Sequence, residues 1–108
     1  MTRPELEPHT FLVLRLRSDR PDIPDEELER LQEQHLSFLQ SQYDRGVMVA
    51  SGPLKDQDDE SWRGICVFTV PPDEARRIAA DDPWVQLGRL EPVVFTWLAR
   101  AGSVAFGT

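Results

Sequence analysis

The segment "TFLVLRLR" (10–17) sets Leu12, Leu14 and Leu16 on one side and Phe11, Val13, Arg15 and Arg17 on the other, a strand period. "SDRPDIP" (18–24), with two prolines, is a loop. The period then changes. "DEELERLQEQHLSFLQSQYDRG" (25–46) predicts a long helix with an apolar stripe of Leu28, Leu31, Leu36, Phe38, Leu39 and Tyr43. Acids fill its first turn, where the helix dipole favours them, and Gly46 is its stop. "VMVASGP" (47–53) reads as a strand ended by Gly52-Pro53, and the polar "LKDQDDESWR" (54–63) as a hairpin tip. "GICVFTV" (64–70) predicts a buried strand, "PPDEARRIAADD" (71–82) a short second helix, and "EPVVFTWLA" (91–99) the last main strand. Between the last two, Pro83 suits a first helical turn, which makes Asp82 the natural N-cap.

The order β-α-β-β-α-β is the split βαβ arrangement of a ferredoxin-like fold. It implies an α+β sandwich in which both helices cover one face of an antiparallel sheet. One domain is expected over 1–108, with a core of about 10–99 and a tail, or short extra strand, over 100–108. The sheet face opposite the helices carries Phe11, Val13, Arg15 and their neighbours, too apolar to leave in water, so a homodimer through it is expected.

Composition narrows the partners. The chain has 108 residues, 40% of them hydrophobic, and a net charge of −7. It has no Lys/Arg cluster to neutralise phosphates, which argues against nucleic acid and equally against an anionic membrane surface. No apolar run approaches the length of a bilayer span, and "MTRPELEPHT" lacks a signal-peptide layout, so a cytoplasmic location is expected. Cys66 stands alone in an apolar run and reads as a small core residue. The acids of 54–63 lack EF-hand spacing, and with only two histidines neither a metal nor any other cofactor is expected.

One residue conflicts with a plain core. At about 100° per residue, His35 falls between Leu28, Leu31 and Leu39, in the stripe that should meet the sheet. A buried imidazole needs partners, since an unpaired polar group costs about 1–3 kcal/mol. The segment containing "DDPW" returns to the sheet beside the long helix, so an aspartate there can accept from one ring nitrogen and fix the tautomer. That leaves two readings open: a core histidine satisfied structurally, or a ring whose other nitrogen moves a proton. Other candidates carry less. His9 lies in a segment with no element pattern, Ser37 and Ser51 lack a nucleophile-elbow sequence, and Arg15 fits an ion pair or an anion held in a dimer interior. Trp62, Trp84 and Trp97 read as packing residues, and Trp84 could also wall a pocket.

"EQHLSFLQSQYDRG" (33–46), "ASGP" (50–53), Gly64 before a strand and "DDPWVQLG" (81–88), in this order and spacing, resemble the YciI-like (YCII-related) family. The resemblance covers residues 10 to 98 and implies a dimeric α+β barrel, similar in fold to muconolactone isomerases. It also implies a site built on a His–Asp pair, carried here by His35 and Asp82, with Gly52 and Pro53 lining the same cleft. Ser51, Trp84 and Arg15 are the accompanying candidates for substrate contacts. The chain departs from the family pattern in the extra acid Asp81, in Trp84 where Phe or Tyr is commoner, in several extra N-terminal residues and in a longer 18–24 loop. Those departures leave pocket size and substrate open.

Three functions remain. The first is a small cofactor-independent enzyme of isomerase or lyase type, using His35 and Asp82 on a small organic substrate such as an aromatic or lactone-like ring. The second is a non-catalytic module that binds a small molecule in the same cleft. The third is a structural dimer with a satisfied histidine.

Overall fold

A computed structural model describes residues 4–106. Its elements are β1 (Leu6–Leu16), α1 (Asp25–Asp44), β2 (Met48–Pro53), β3 (Trp62–Phe68), α2 (Pro72–Ala79), α3 (Pro83–Gln86) and β4 (Leu90–Arg100). The four strands form one antiparallel sheet in the order β2-β3-β1-β4, and the helices pack on one face. This is the ferredoxin-like α+β sandwich that the element order implies.

β1 begins four residues earlier than its apolar alternation suggests. Residues 6–9 show no apolar alternation and include Pro8, but they pair with β4 through Leu6↔Arg100, Glu7↔Ala99, Pro8↔Leu98 and His9↔Trp97. Its pairing with β3 starts only at Thr10, so Pro8, which has no N–H to donate, leaves no ladder bond unmade on that open side. His9 is therefore a strand residue, contrary to the sequence expectation. β4 correspondingly runs to Arg100, followed by a turn rather than an extra strand through Ser103; residues 107–108 lie outside the described residues.

α1 ends as its glycine suggests. Gly46 has φ +74°, its N–H bonds Tyr43 O, and the next N–H, of Val47, bonds Gln42 O, the paired bonds of a Schellman stop. The buried stripe is narrower than the sequence reading. Leu31, His35 and Gln42 are buried and Leu28 and Leu39 pack against the core, whereas Leu36 and Tyr43 are exposed. At about 100° per residue those two lie a third of a turn round from Leu31. They form a flank rather than the centre.

The second helical segment is split. α2 ends at Ala79, and Asp82 is extended at φ −63°, ψ 129° before Pro83 opens α3. A residue preceding proline is disfavoured in the α region, so 71–82 cannot remain one helix to its end.

The core lies between helices and sheet: Leu12, Leu14, Cys66, Phe68 and Leu90 from the strands meet Leu31, Ala75, Ala79 and Trp84. The opposite face is open, with Val93, Phe95 and Trp97 all 38–39% exposed and Phe11 packed edge-on to Trp97. Leu12 is the most buried large side chain, at 1% exposure. Leu12→Ala should lower unfolding free energy by about 2–5 kcal/mol, read as a fall in the urea midpoint at unchanged slope.

Candidate active site

Pro83 fixes the geometry on which the site depends. With Asp82 extended in front of it, the aspartate side chain turns back over the first turn of α3. Its Oδ1 accepts from the Trp84 backbone N–H at 2.9 Å. Its Oδ2 lies 2.8 Å from Nδ1 of His35 on α1. One carboxylate thus caps a helix and holds an imidazole. Asp82 is 2% exposed and His35 9%, so the contact is shielded from water on nearly every side.

A carboxylate only accepts, so His35 Nδ1 carries the proton it donates to Asp82. Nε2 has no protein partner among the described residues, and the ring borders a cleft of about 1010 Å³ between α1, α3 and the sheet end. The ring is thus held through one nitrogen while it borders an open space. Asp81, the neighbouring acid, is exposed and makes no side-chain bond among the described residues.

The cleft also gathers Ser51, Gly52, Pro53 and Trp84. Ser51 Oγ is 2.8 Å from the Tyr43 hydroxyl, and Trp84 donates its indole N–H to Gln32 Oε1 at 3.2 Å. Gly64 on β3 pairs with Pro53 on β2 and with Leu14 on β1, and a Cβ there would come within 3.3 Å of the Gly52 carbonyl oxygen. The absence of a side chain at Gly64 keeps the floor low. Arg15 is not part of the cleft. It points from the opposite sheet face, and its Nε donates to Glu91 Oε1 at 2.8 Å.

Among the cleft residues that sequence reasoning did not assign to the site are Gln32, Leu36, Arg63 and Arg89. For Leu36 the signal existed, since an apolar residue off the centre of a stripe often rims a pocket. For the two arginines it did not, because strand alternation alone directs neither towards the helices.

Cys66 lies in the cleft wall, 4% exposed. Burial, reinforced by the nearby charge of Asp82, pushes its thiol up to about 12. It therefore stays protonated at neutral pH and is no nucleophile. Among the described residues no three His, Cys, Asp or Glu side chains gather as a metal site requires, and no helix is long and apolar enough to cross a membrane.

The fold and the paired residues define a class, and the comparisons agree. The YCII-related domain pattern matches residues 11–97, and the chain belongs to that family. Among solved structures it is similar to 5-chloro-2-hydroxyhydroquinone dehydrochlorinase from Burkholderia phenoliruptrix, determined in complex with 2,5-dihydroxybenzoquinone. That similarity has a TM-score of 0.52 at 21% identity and covers 82% of this chain and 92% of that one. It establishes the shared fold. No curated protein matches the sequence.

The two aspartates should separate cleanly. Asp82→Ala removes the α3 cap and strands the His35 N–H, a loss of about 2–4 kcal/mol in denaturant unfolding, whereas Asp81→Ala stays within about 0.5 kcal/mol of the parent. Asp82→Asn should also shift the hydrogen-bonded His35 Nδ1 proton resonance in NMR, and Asp81→Asn should not. Cys66 should react with a disulfide reagent at pH 7 far more slowly in the folded protein than in urea.

Proposed function

We propose that the protein is a cofactor-independent enzyme in which His35, oriented by Asp82, transfers a proton to or from a small organic ring. The observation that carries the proposal is the direction of the pair: Nδ1 is held by a buried carboxylate and the ring borders an open cleft. In the forward step Nε2 takes a proton from a ring carbon or hydroxyl, leaving an enolate and an imidazolium. Asp82 remains ionised and stabilises that imidazolium, as a carboxylate beside a catalytic histidine does. Return of the proton to another ring position completes an isomerisation. Departure of a leaving group from the enolate completes an elimination. The structural neighbour's name supports the second outcome, because a dehydrochlorinase removes a proton and a chloride from one molecule.

The working form is a homodimer closed through the open sheet face, a reading supported by the exposed Val93, Phe95 and Trp97 on one surface. Light scattering after gel filtration should give twice the chain mass of 12.4 kDa, and Phe95→Glu should return it to the single-chain value.

The chemistry is tested with a panel of chlorinated hydroquinols, hydroxyquinones and unsaturated lactones in D2O. Deuterium entry into ring positions and chloride release are followed by NMR and ion-selective electrode. The wild type should catalyse one of these, and His35→Gln should slow it by about 10²–10⁴-fold while keeping its fold. Binding without turnover across the panel would make the chain a binding module instead.

A further inference from the structure

The cleft holds two positive charges that the proton-transfer reading does not use. Arg63 and Arg89 both line it. Neither meets a carboxylate within 4.0 Å among the described residues, as is also true of Arg20, Arg45, Arg77 and Arg100, and Arg63 Nη1 donates to the Glu60 backbone carbonyl at 3.2 Å. In a chain with 19 acids against 12 bases, two unneutralised guanidinium groups in one cleft call for a physical reason.

Each is brought there by a local departure from regular backbone. β3 pairs Gly64 with Leu14 but Trp62 with Arg15, so Arg63 is the extra residue of a bulge. A bulge re-aims the side chains beside it, and here it turns a residue that would alternate outwards to the helix side. Arg89 follows Gly88, which has φ +82° and closes α3. The Gly88 N–H bonds Val85 O, and the Arg89 N–H bonds Trp84 O at 3.1 Å. This second Schellman stop folds the chain back so that the Arg89 guanidinium lies 5.4 Å from the Trp84 ring centre. The Trp84 ring is itself held by Gln32. Arg89 is thus stacked on a fixed platform, with its N–H edge left for another acceptor.

We propose that the cleft takes a small organic anion whose carboxylate or enolate oxygens are received by Arg63 and Arg89, the remainder of the ring facing His35. The proposal names the substrate class for the proton transfer above and rests on that reading for the role of His35. A planar fork of donors is suited to a two-oxygen anion, and an enolate formed by proton removal gains the same stabilisation. Glu29 and Glu33 on α1 also border the cleft, with no oxygen within 4.0 Å of either guanidinium. They repel an anion from the α1 side and so orient it towards the arginines.

The test uses 2,5-dihydroxybenzoate and its neutral amide, titrated into the dimeric protein and followed by NMR and calorimetry. The wild type should bind the carboxylate at least tenfold tighter than the amide, with a preference that shrinks as salt rises. Arg89→Gln and Arg63→Gln should each reduce that preference by several fold, and the double variant should abolish it. Glu33→Gln should strengthen carboxylate binding. His35→Gln should retain the preference, so loss of turnover in that variant with the preference intact separates the two proposals. Equal binding of acid and amide, binding of neither at millimolar concentration, or an undiminished preference in the double arginine variant would overturn the anion site, whatever His35 does.

Discussion

The fold and the site meet in the Asp82 carboxylate. One oxygen closes the first turn of α3 and the other holds the His35 ring, so a single side chain joins α1 to the segment that leads into β4. Neither bond is available alone. Pro83 forces Asp82 out of the helical region, which releases the side chain to turn back. The imidazole could not remain under α1 without an acceptor, because a buried unpaired donor costs about as much as the whole contribution of a good hydrogen bond. A structural need and a chemical opportunity therefore coincide: the contact that satisfies a core histidine also fixes which of its nitrogens is free.

The cleft exists because three kinds of small or displaced backbone surround that nitrogen. Gly64 removes a side chain from the helix-facing side of β3, which lowers the floor. The β3 bulge shifts Arg63 out of alternation, and the Gly88 stop turns Arg89 back over Trp84. The wall on the α1 side joins the edge of the buried stripe, Leu28, His35 and Leu39, to the exposed flank that carries Gln32 and Leu36, while Leu31 and Gln42 turn inwards. A single amphipathic helix serves both purposes because its two faces differ by about a third of a turn.

The charge distribution follows the same division. The chain is acidic overall, and most of its described ion pairs are exposed and local, such as Arg17–Asp19 and Arg76–Asp73. Such pairs contribute little to stability. The buried exception is His35–Asp82, and two of the guanidinium groups without a carboxylate partner line the same cleft. Protein fields focus in concave sites of low dielectric, so a small number of charges there outweighs a larger number spread over the surface.

Local pattern was enough to establish the βαββαβ order, the extent of α1 to its glycine stop, the oddity of His35 in an apolar stripe and the N-cap role of Asp82. Each of these is written within a few residues of the position concerned, as a period, a cap or a proline. The resemblance to a family supplied the partner of His35, which spacing alone left undecided between two adjacent acids. Tertiary structure decided the rest. β1 reaches back to Leu6 because β4 is present to pair with residues 6–9, and Arg15 is drawn to Glu91 rather than to the cleft. Arg63 and Arg89 enter the cleft through a bulge and a turn whose effect on direction depends on strands and rings far away in sequence. Periodicity reports which face a residue belongs to only while the backbone is regular, and this cleft is built where the regularity breaks.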